Sequence, residues 1–228
     1  MYSNSYLLNL YNKIEVKIIF KIARTELRNL FYSPVAWFLA IAFLVQCAVF
    51  YTNSLIPYAK WQDVYINSTP KWKDFDSSLT AVLFLSGDSI ISSALQNLYL
   101  FVPLLTMGLI SREANNGTIK LLYSSPVKVR HIVLGKYLAI MVYNMMLVMI
   151  VGIFMVTAFF NIRSLDYGLL LSAVLGFYLL VCAYTAIGMF MSSLTNYQIV
   201  SAIGSFIIVF VLGRIGGGYG RNMILYGT

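Results

Sequence analysis

SREANNGTIKLLYSSPVKVRHIVLGKYLA, Ser111–Ala139, is a polar island with a turn in it, set between two strongly apolar stretches. Asn116-Gly117 is a strong turn signal. Thr118 predicts the cap of a short helix carrying Ile119, Leu121, Leu122 and Tyr123. Pro126 stops that helix, because the residue before a proline is pushed out of the α region. A brief helix of this kind, lying along a bilayer with its apolar knobs turned to the water side, suits a surface on which a partner pushes.

Outward from the island the chain is apolar. Of its 228 residues 60% are hydrophobic and 11% charged, and the mean hydropathy is +0.78. Soluble domains are about half apolar and about a quarter charged, so the composition implies an integral membrane protein. No charge falls in Asn29–Ala59, Ser89–Ser111, Tyr137–Ile162 or Tyr167–Gly213. Each of the first three gaps holds one helix of about 20 apolar residues, enough to cross the hydrocarbon core. The fourth is roughly twice that length and is broken by Ser192-Ser193-Leu194-Thr195-Asn196, which predicts two spans and a tight turn. The expectation is an all-α polytopic membrane protein, one domain over residues 1–228 with about five spans. Alternation of apolar and polar residues, the mark of a β-barrel, is absent. The first span follows a basic segment and reads as an uncleaved anchor. Cys47 and Cys182 both fall within spans and read as small buried apolar residues.

Positive charge near span ends favours the cytoplasm. With five spans, one side receives Lys13, Lys17, Lys21, Arg24, Arg28, Arg112, Lys120, Lys128, Arg130 and Lys136. The other receives Lys60, Lys71, Lys73, Arg163, Arg214 and Arg221, so ten cations face six. The acids run the other way, with Glu15, Glu26 and Glu113 against five aspartates. The N-terminus is therefore expected inside. The net charge of +8 is read as a topology signal, with no nucleic-acid partner.

Residues 6–32 predict an interfacial helix. Lys13, Lys17, Lys21, Arg24 and Arg28 follow spacings of four, four, three and four, a stripe about 80° wide at about 100° per residue. Ile18, Ile22, Ile19, Leu30, Ala23 and Val16 cover the other side. The stripe suits anionic lipid headgroups at a membrane surface. Glu26 lies near the apolar arc, pointing at a partner, snorkelling or pairing with a neighbouring arginine. Residues 53–88 form an expected extracytoplasmic segment, with Trp61, Tyr65 and Trp72 suited to an interface. Gly188, among the small residues Ala183, Ala186, Ser192 and Ser193, predicts close approach of the last two helices or a contact between subunits. Ala202, Gly204 and Ser205 offer a similar surface.

The chemistry that is missing is equally informative. The glycine run Gly216-Gly217-Gly218-Tyr219-Gly220-Arg221 has neither the spacing nor the lysine of a phosphate-binding loop. His131 is the one histidine, and no carboxylate or second ligand lies near it in sequence. The spans contain Gln46, Gln96, Asn97 and Asn144 but essentially no ionisable group of the kind that coupled carriers place at mid-membrane. No catalytic or metal site is expected, and energy must arrive from another subunit.

Four blocks carry a resemblance that runs through nearly the whole chain. They are ARTELRNLFYSPVAWF (Ala23–Phe38), FVPLLTM (Phe101–Met107), EANNGTIKLLYSSPVKVRHIVLGKYL (Glu113–Leu138) and AYTAIGMFMSSLTNYQIVSAI (Ala183–Ile203). Together they resemble the permease subunits of type-2, export-type ABC transporters, and within that class those of the gliding-motility-associated transporter of Bacteroidota. The resemblance implies two permease subunits, identical or different, and a separate ABC ATP-binding subunit that binds ATP and magnesium. This chain would then carry no cofactor and no catalysis of its own. It implies a bacterial inner (cytoplasmic) membrane location and a cytoplasmic coupling loop at residues 111–131. Glu113, Gly117, Thr118, Leu121, Leu122 and Pro126 would form the element that meets the ATPase. Lys120 stands where the family often has an acid. The family has six spans, so the resemblance also implies that the last one is missing here. Such a subunit would support export or, alternatively, serve as a non-transporting mechanical or scaffold module of an envelope machine.

Overall fold

The computed structural model describes residues 2–67, 90–117, 127–161 and 167–226. Every regular element among them is an α-helix. These are α1 (Tyr2–Tyr32), α2 (Pro34–Asn67), α3 (Ile90–Thr106), α4 (Ser111–Asn115), α5 (Val129–Asn161), α6 (Tyr167–Leu194) and α7 (Gln198–Tyr226). Helices are what apolar segments must form in lipid, where no water is present to satisfy a backbone N–H or C=O. Five stretches are long and apolar enough to cross a membrane: Pro34–Asn53, Ile91–Asn115, Val129–Thr157, Tyr167–Leu194 and Gln198–Ile215. The chain is an all-α polytopic membrane protein. Their outward surfaces are apolar, as on α5, where Met145, Met149, Ile153 and Val156 recur at helical spacing and are all exposed.

Two compact units divide the chain. The first comprises Met1–Trp37, Val102–Asn144 and Cys182–Thr228, and the second Phe38–Phe101 and Met145–Val181. In the second unit Phe43 meets Phe101 edge-on at 5.6 Å. Tyr51 packs on Phe154 at 5.5 Å, and its hydroxyl accepts a hydrogen bond from Thr157 Oγ1 at 3.2 Å. Cys47 is buried there, as Cys182 is in the first unit. The helix α2 continues to Asn67, so the first part of segment 53–88 is helical; residues 68–89 lie outside the described residues. Extending an existing helix costs far less than starting one, so α2 runs on past Pro57.

In the first unit α1 ends at Tyr32, and Ser33 N–H closes its last turn on Leu30 O at 3.0 Å. Pro34 then opens α2, at the helix position where a missing N–H costs nothing. The Trp37 indole N–H donates back to Phe31 O at 2.7 Å and fixes the corner. Leu109, Ile140 and Met189 form an apolar cluster, joined by Leu105, Ile110, Val133 and Tyr137. Tyr143 is 1% exposed, and its hydroxyl donates to Ala36 O at 2.6 Å. The turn between α6 and α7 occupies only residues 195–197.

Two glycines set how closely these helices approach. A Cβ on Gly135 of α5 would lie 2.7 Å from Ile22 Cγ2 of α1. One on Gly188 of α6 would collide with the side chain of Thr106 at the end of α3. Gly188 therefore seats α6 against α3, while at Gly204 of α7 an added Cβ would meet only the far end of the flexible Met191 side chain of α6. Gly188→Ala should destabilise the detergent-solubilised protein by about 1–3 kcal/mol, the usual cost of overpacking. Gly152 has no neighbour within 4 Å of an added Cβ. Gly152→Ala should therefore leave the thermal midpoint unchanged or raised, since alanine is the better helix former. Equal midpoints for the two variants would contradict this account of Gly188.

Candidate functional site

The site is built where the α3 helix breaks. Pro103 lies inside α3. At its end Met107 N–H donates to Pro103 O at 2.9 Å, and the Thr106 hydroxyl donates back to Val102 O at 2.8 Å. The chain then turns through residues 107–110 and resumes as the single turn α4. Such a break strands backbone groups, and in a buried place each must find a partner. Ser192 of α6 supplies it. Its Oγ accepts the N–H groups of Ile110 and Ser111, each at 3.1 Å, and donates to Met107 O at 3.0 Å. Ser111 Oγ also donates to Met107 O. Ser192 and Ser111 are fully buried, so these bonds form out of water. The short helix α4 also touches α7.

The island's turn follows at once. Asn116 N–H donates to Arg112 O at 3.0 Å and Gly117 N–H to Ala114 O at 3.2 Å. Gly117 has φ +71°, a conformation that L side chains rarely adopt. The short helix therefore precedes the turn, over Ser111–Asn115. Thr118, Lys120, Leu121, Leu122 and Pro126, with the helix expected after Thr118, lie outside the described residues.

Glu113 of α4 points back into the first unit. Its Oε1 is 2.6 Å from Lys136 Nζ of α5, and Glu26 Oε1 of α1 reaches the same ammonium at 2.8 Å. The Lys136 side chain is 3% exposed, and those of Glu26 and Glu113 are 21% and 26% exposed. One buried cation thus ties three helices together. Glu26 pairs with a lysine of another helix of the same chain, a contact outside the alternatives its sequence neighbourhood offers. A second group lies further along α1, where Glu15 receives Lys128 Nζ and Arg130 Nη2, each at 3.0 Å. Buried His131 places Nε2 3.4 Å from Glu15 Oε2. The fold therefore gives this histidine the carboxylate that its sequence neighbourhood lacks.

All five cations of the α1 stripe, Lys13, Lys17, Lys21, Arg24 and Arg28, are exposed. Ile18, Ile19, Ile22 and Ala23 are covered, whereas Val16, expected among them, is 51% exposed. Among the described residues no three histidine, cysteine, aspartate or glutamate side chains gather where they could hold a metal ion.

The sequence presents Lys136 as a span-end cation and Ser192 as a small residue at the start of a polar break. The available signal was a lysine set among Ile132, Val133, Leu134 and Tyr137 near the start of a span, where a charge requires a counter-charge. The arrangement holds α4 in one position through ion pairs on one side and Ser192 on the other. It joins helices.

Lys136→Met should destabilise the solubilised protein by roughly 3 kcal/mol, the low end for breaking a buried pair, because both carboxylates still reach solvent. Lys128→Met removes an exposed partner and should cost no more than about 1 kcal/mol. The thermal midpoints of the two variants provide the comparison. Adding Glu26→Gln and Glu113→Gln to Lys136→Met should recover much of the loss. An equal effect of the two lysine variants would refute the buried joint.

The family model described as ABC-2 family transporter protein matches residues 20–224, from within α1 into α7. No curated protein and no solved structure matches the chain. The matched region contains Glu26, Glu113, Lys136, Ser192 and all five apolar spans. The chain belongs to the ABC-2 transporter family, as a multi-pass membrane component of an ABC transporter.

Proposed function

We propose that this chain is the permease subunit of an ATP-driven complex in a bacterial inner membrane, with its N-terminus in the cytoplasm. A separate ABC ATP-binding subunit binds ATP and magnesium and hydrolyses the nucleotide. A second permease subunit completes the membrane part. The excess of cations at one set of span ends supports the orientation. Family membership supports the ATPase partner.

One observation carries the coupling role: Lys136 fastens Glu113 of α4 to α1 and α5 immediately before the turn at Gly117. Load applied to the loop beyond Gly117 would enter a segment already joined to four other helices. Within the coupling element, Thr118, Leu121, Leu122 and Pro126 form the surface that meets the ATPase. Gly117 provides the turn. Glu113 faces inward and positions the loop, so its role is to hold the loop against the bundle. Closure of the ATPase then moves the first unit's α4 and α1 together, a rigid-body transition of the kind transporters use.

The test is co-purification of the native ATP-binding subunit with the tagged chain from its own membranes. Leu121→Asp with Leu122→Asp should lower the recovered ATPase at least tenfold while the chain's membrane yield is unchanged. Recovery at the wild-type level would rule out the coupling assignment. Uptake of a defined solute by vesicles containing the complex would establish export. ATPase activity that depends on an envelope partner and moves no solute would assign the mechanical role, the one that fits the gliding-associated resemblance.

A further inference from the structure

On the outward side of α1 a groove of about 480 Å³ is lined by Arg24, Thr25, Leu27, Arg28 and Phe31. Its two arginines stand four residues apart on one helical face, where like charges repel and weaken the helix unless an anion lies between them. Among the described residues neither guanidinium is in an ion pair; the acids of α1, Glu15 and Glu26, are both engaged elsewhere. Among the described lining residues Leu27 and Phe31 supply apolar walls, while the Thr25 hydroxyl is spent on Lys21 O at 3.0 Å.

The groove is ordered by its neighbours. Arg28 lies over the Tyr32 ring, 5.4 Å from its centroid. Phe31 is flanked by Trp37 at 6.1 Å and Tyr143 at 6.2 Å. Exposed Tyr32 and Trp37, one turn away at the start of the first span, mark the depth of a membrane–water boundary. A guanidinium pair favours a phosphate, which it can grip with paired N–H bonds. Apolar walls beside such a pair favour a phosphate that carries a hydrocarbon chain.

We infer that this groove is a binding site for one anionic glycerophospholipid. The phosphodiester lies between Arg24 and Arg28, and the acyl chain runs along Leu27 and Phe31. The inference rests on α1 lying at the membrane surface, as in the function proposed above. It goes beyond a general attraction of the cationic stripe to lipid, because it assigns one stoichiometric site to two of the five cations.

The test is native mass spectrometry of the full chain, delipidated in detergent and titrated with phosphatidylglycerol, phosphatidylcholine or inorganic phosphate. One phosphatidylglycerol should bind at least tenfold more tightly than phosphatidylcholine, and millimolar phosphate should not displace it. Arg24→Gln with Arg28→Gln should abolish the preference. Lys13→Gln with Lys17→Gln, in the same stripe but away from the groove, should preserve it. Equal binding of the two lipids overturns the site, as does equal loss in both double variants, which would indicate diffuse surface charge. Displacement by phosphate would also overturn the lipid assignment. A spin label at Asn29→Cys, read against a lipid-anchored nickel chelate, separately reports the position of α1. Absence of collisions there overturns the surface reading itself, whereas collisions without lipid preference overturn only the site.

Discussion

A lysine ammonium that is 3% exposed and held between two carboxylates is the constraint on which the first unit depends. Removing a cation from water costs several kcal/mol, on the order of what a whole domain has to spare, unless counter-charges and hydrogen bonds meet it. Lys136 can occupy its place on α5 only if Glu26 on α1 and Glu113 on α4 come to it. Gly135, one residue earlier, removes the Cβ that would hold α1 away at Ile22. The small residue and the buried charge are therefore one requirement expressed twice: the helices must be close, and once close they have a single register.

This directionality matters in a protein whose other contacts have little of it. Apolar helix faces such as the exposed stripe of α5 slide and rotate against lipid or one another at small cost, because lipid tails are as apolar as the side chains. Polar joints do not slide. The hydroxyl of Ser192 meets two N–H groups and one carbonyl at the break after α3. In a low-dielectric surrounding, each bond lost leaves a buried group without a partner. Tyr143 does the same for α5 and the start of α2 through Ala36 O. The break in α3, which by itself would be a weak point, is thereby held from α6 by three bonds and from α5 by an ion pair.

The sequence makes the architecture legible because the physics behind it is one-dimensional. Charge-free runs of sufficient length become spans, and the end of the polar break, Thr195-Asn196, becomes part of the α6–α7 turn, with Ser192 to Leu194 still helical. The cationic spacing of residues 13–28 likewise becomes one exposed helical stripe. Asn116-Gly117 forms the turn it signals, with Gly117 at positive φ. The joints are not legible in this way, because they depend on residues far apart in the chain. Nothing near Glu26 names Lys136, nothing near His131 names Glu15, and the break after Thr106 does not name Ser192. The position of Glu113 next to the turn suggests a contact for a partner. Only the three-dimensional arrangement turns its carboxylate inward to Lys136.

The first helix shows how the two kinds of charge divide the work. Taking about 100° per residue, Glu15 and Glu26 fall within about 20° of each other and on the side of α1 opposite the middle of the cationic stripe. Both acids therefore lie at the centre of the covered arc with Ile18, Ile19 and Ile22. Val16 lies at the edge of that arc, which accounts for its exposure. A rotation of α1 by a quarter turn would withdraw both acids from Lys136, Lys128 and Arg130 and carry part of the cationic stripe against Gly135 and its neighbours. Neither sign of charge would then be satisfied. The acids thus fix the helix to α4 and α5, and the bases are left facing outward because no acid remains for them within the unit. In the lipid site we propose, an anionic headgroup would complete that face, and the arrangement that locks α1 inside the protein would also select what lies outside it.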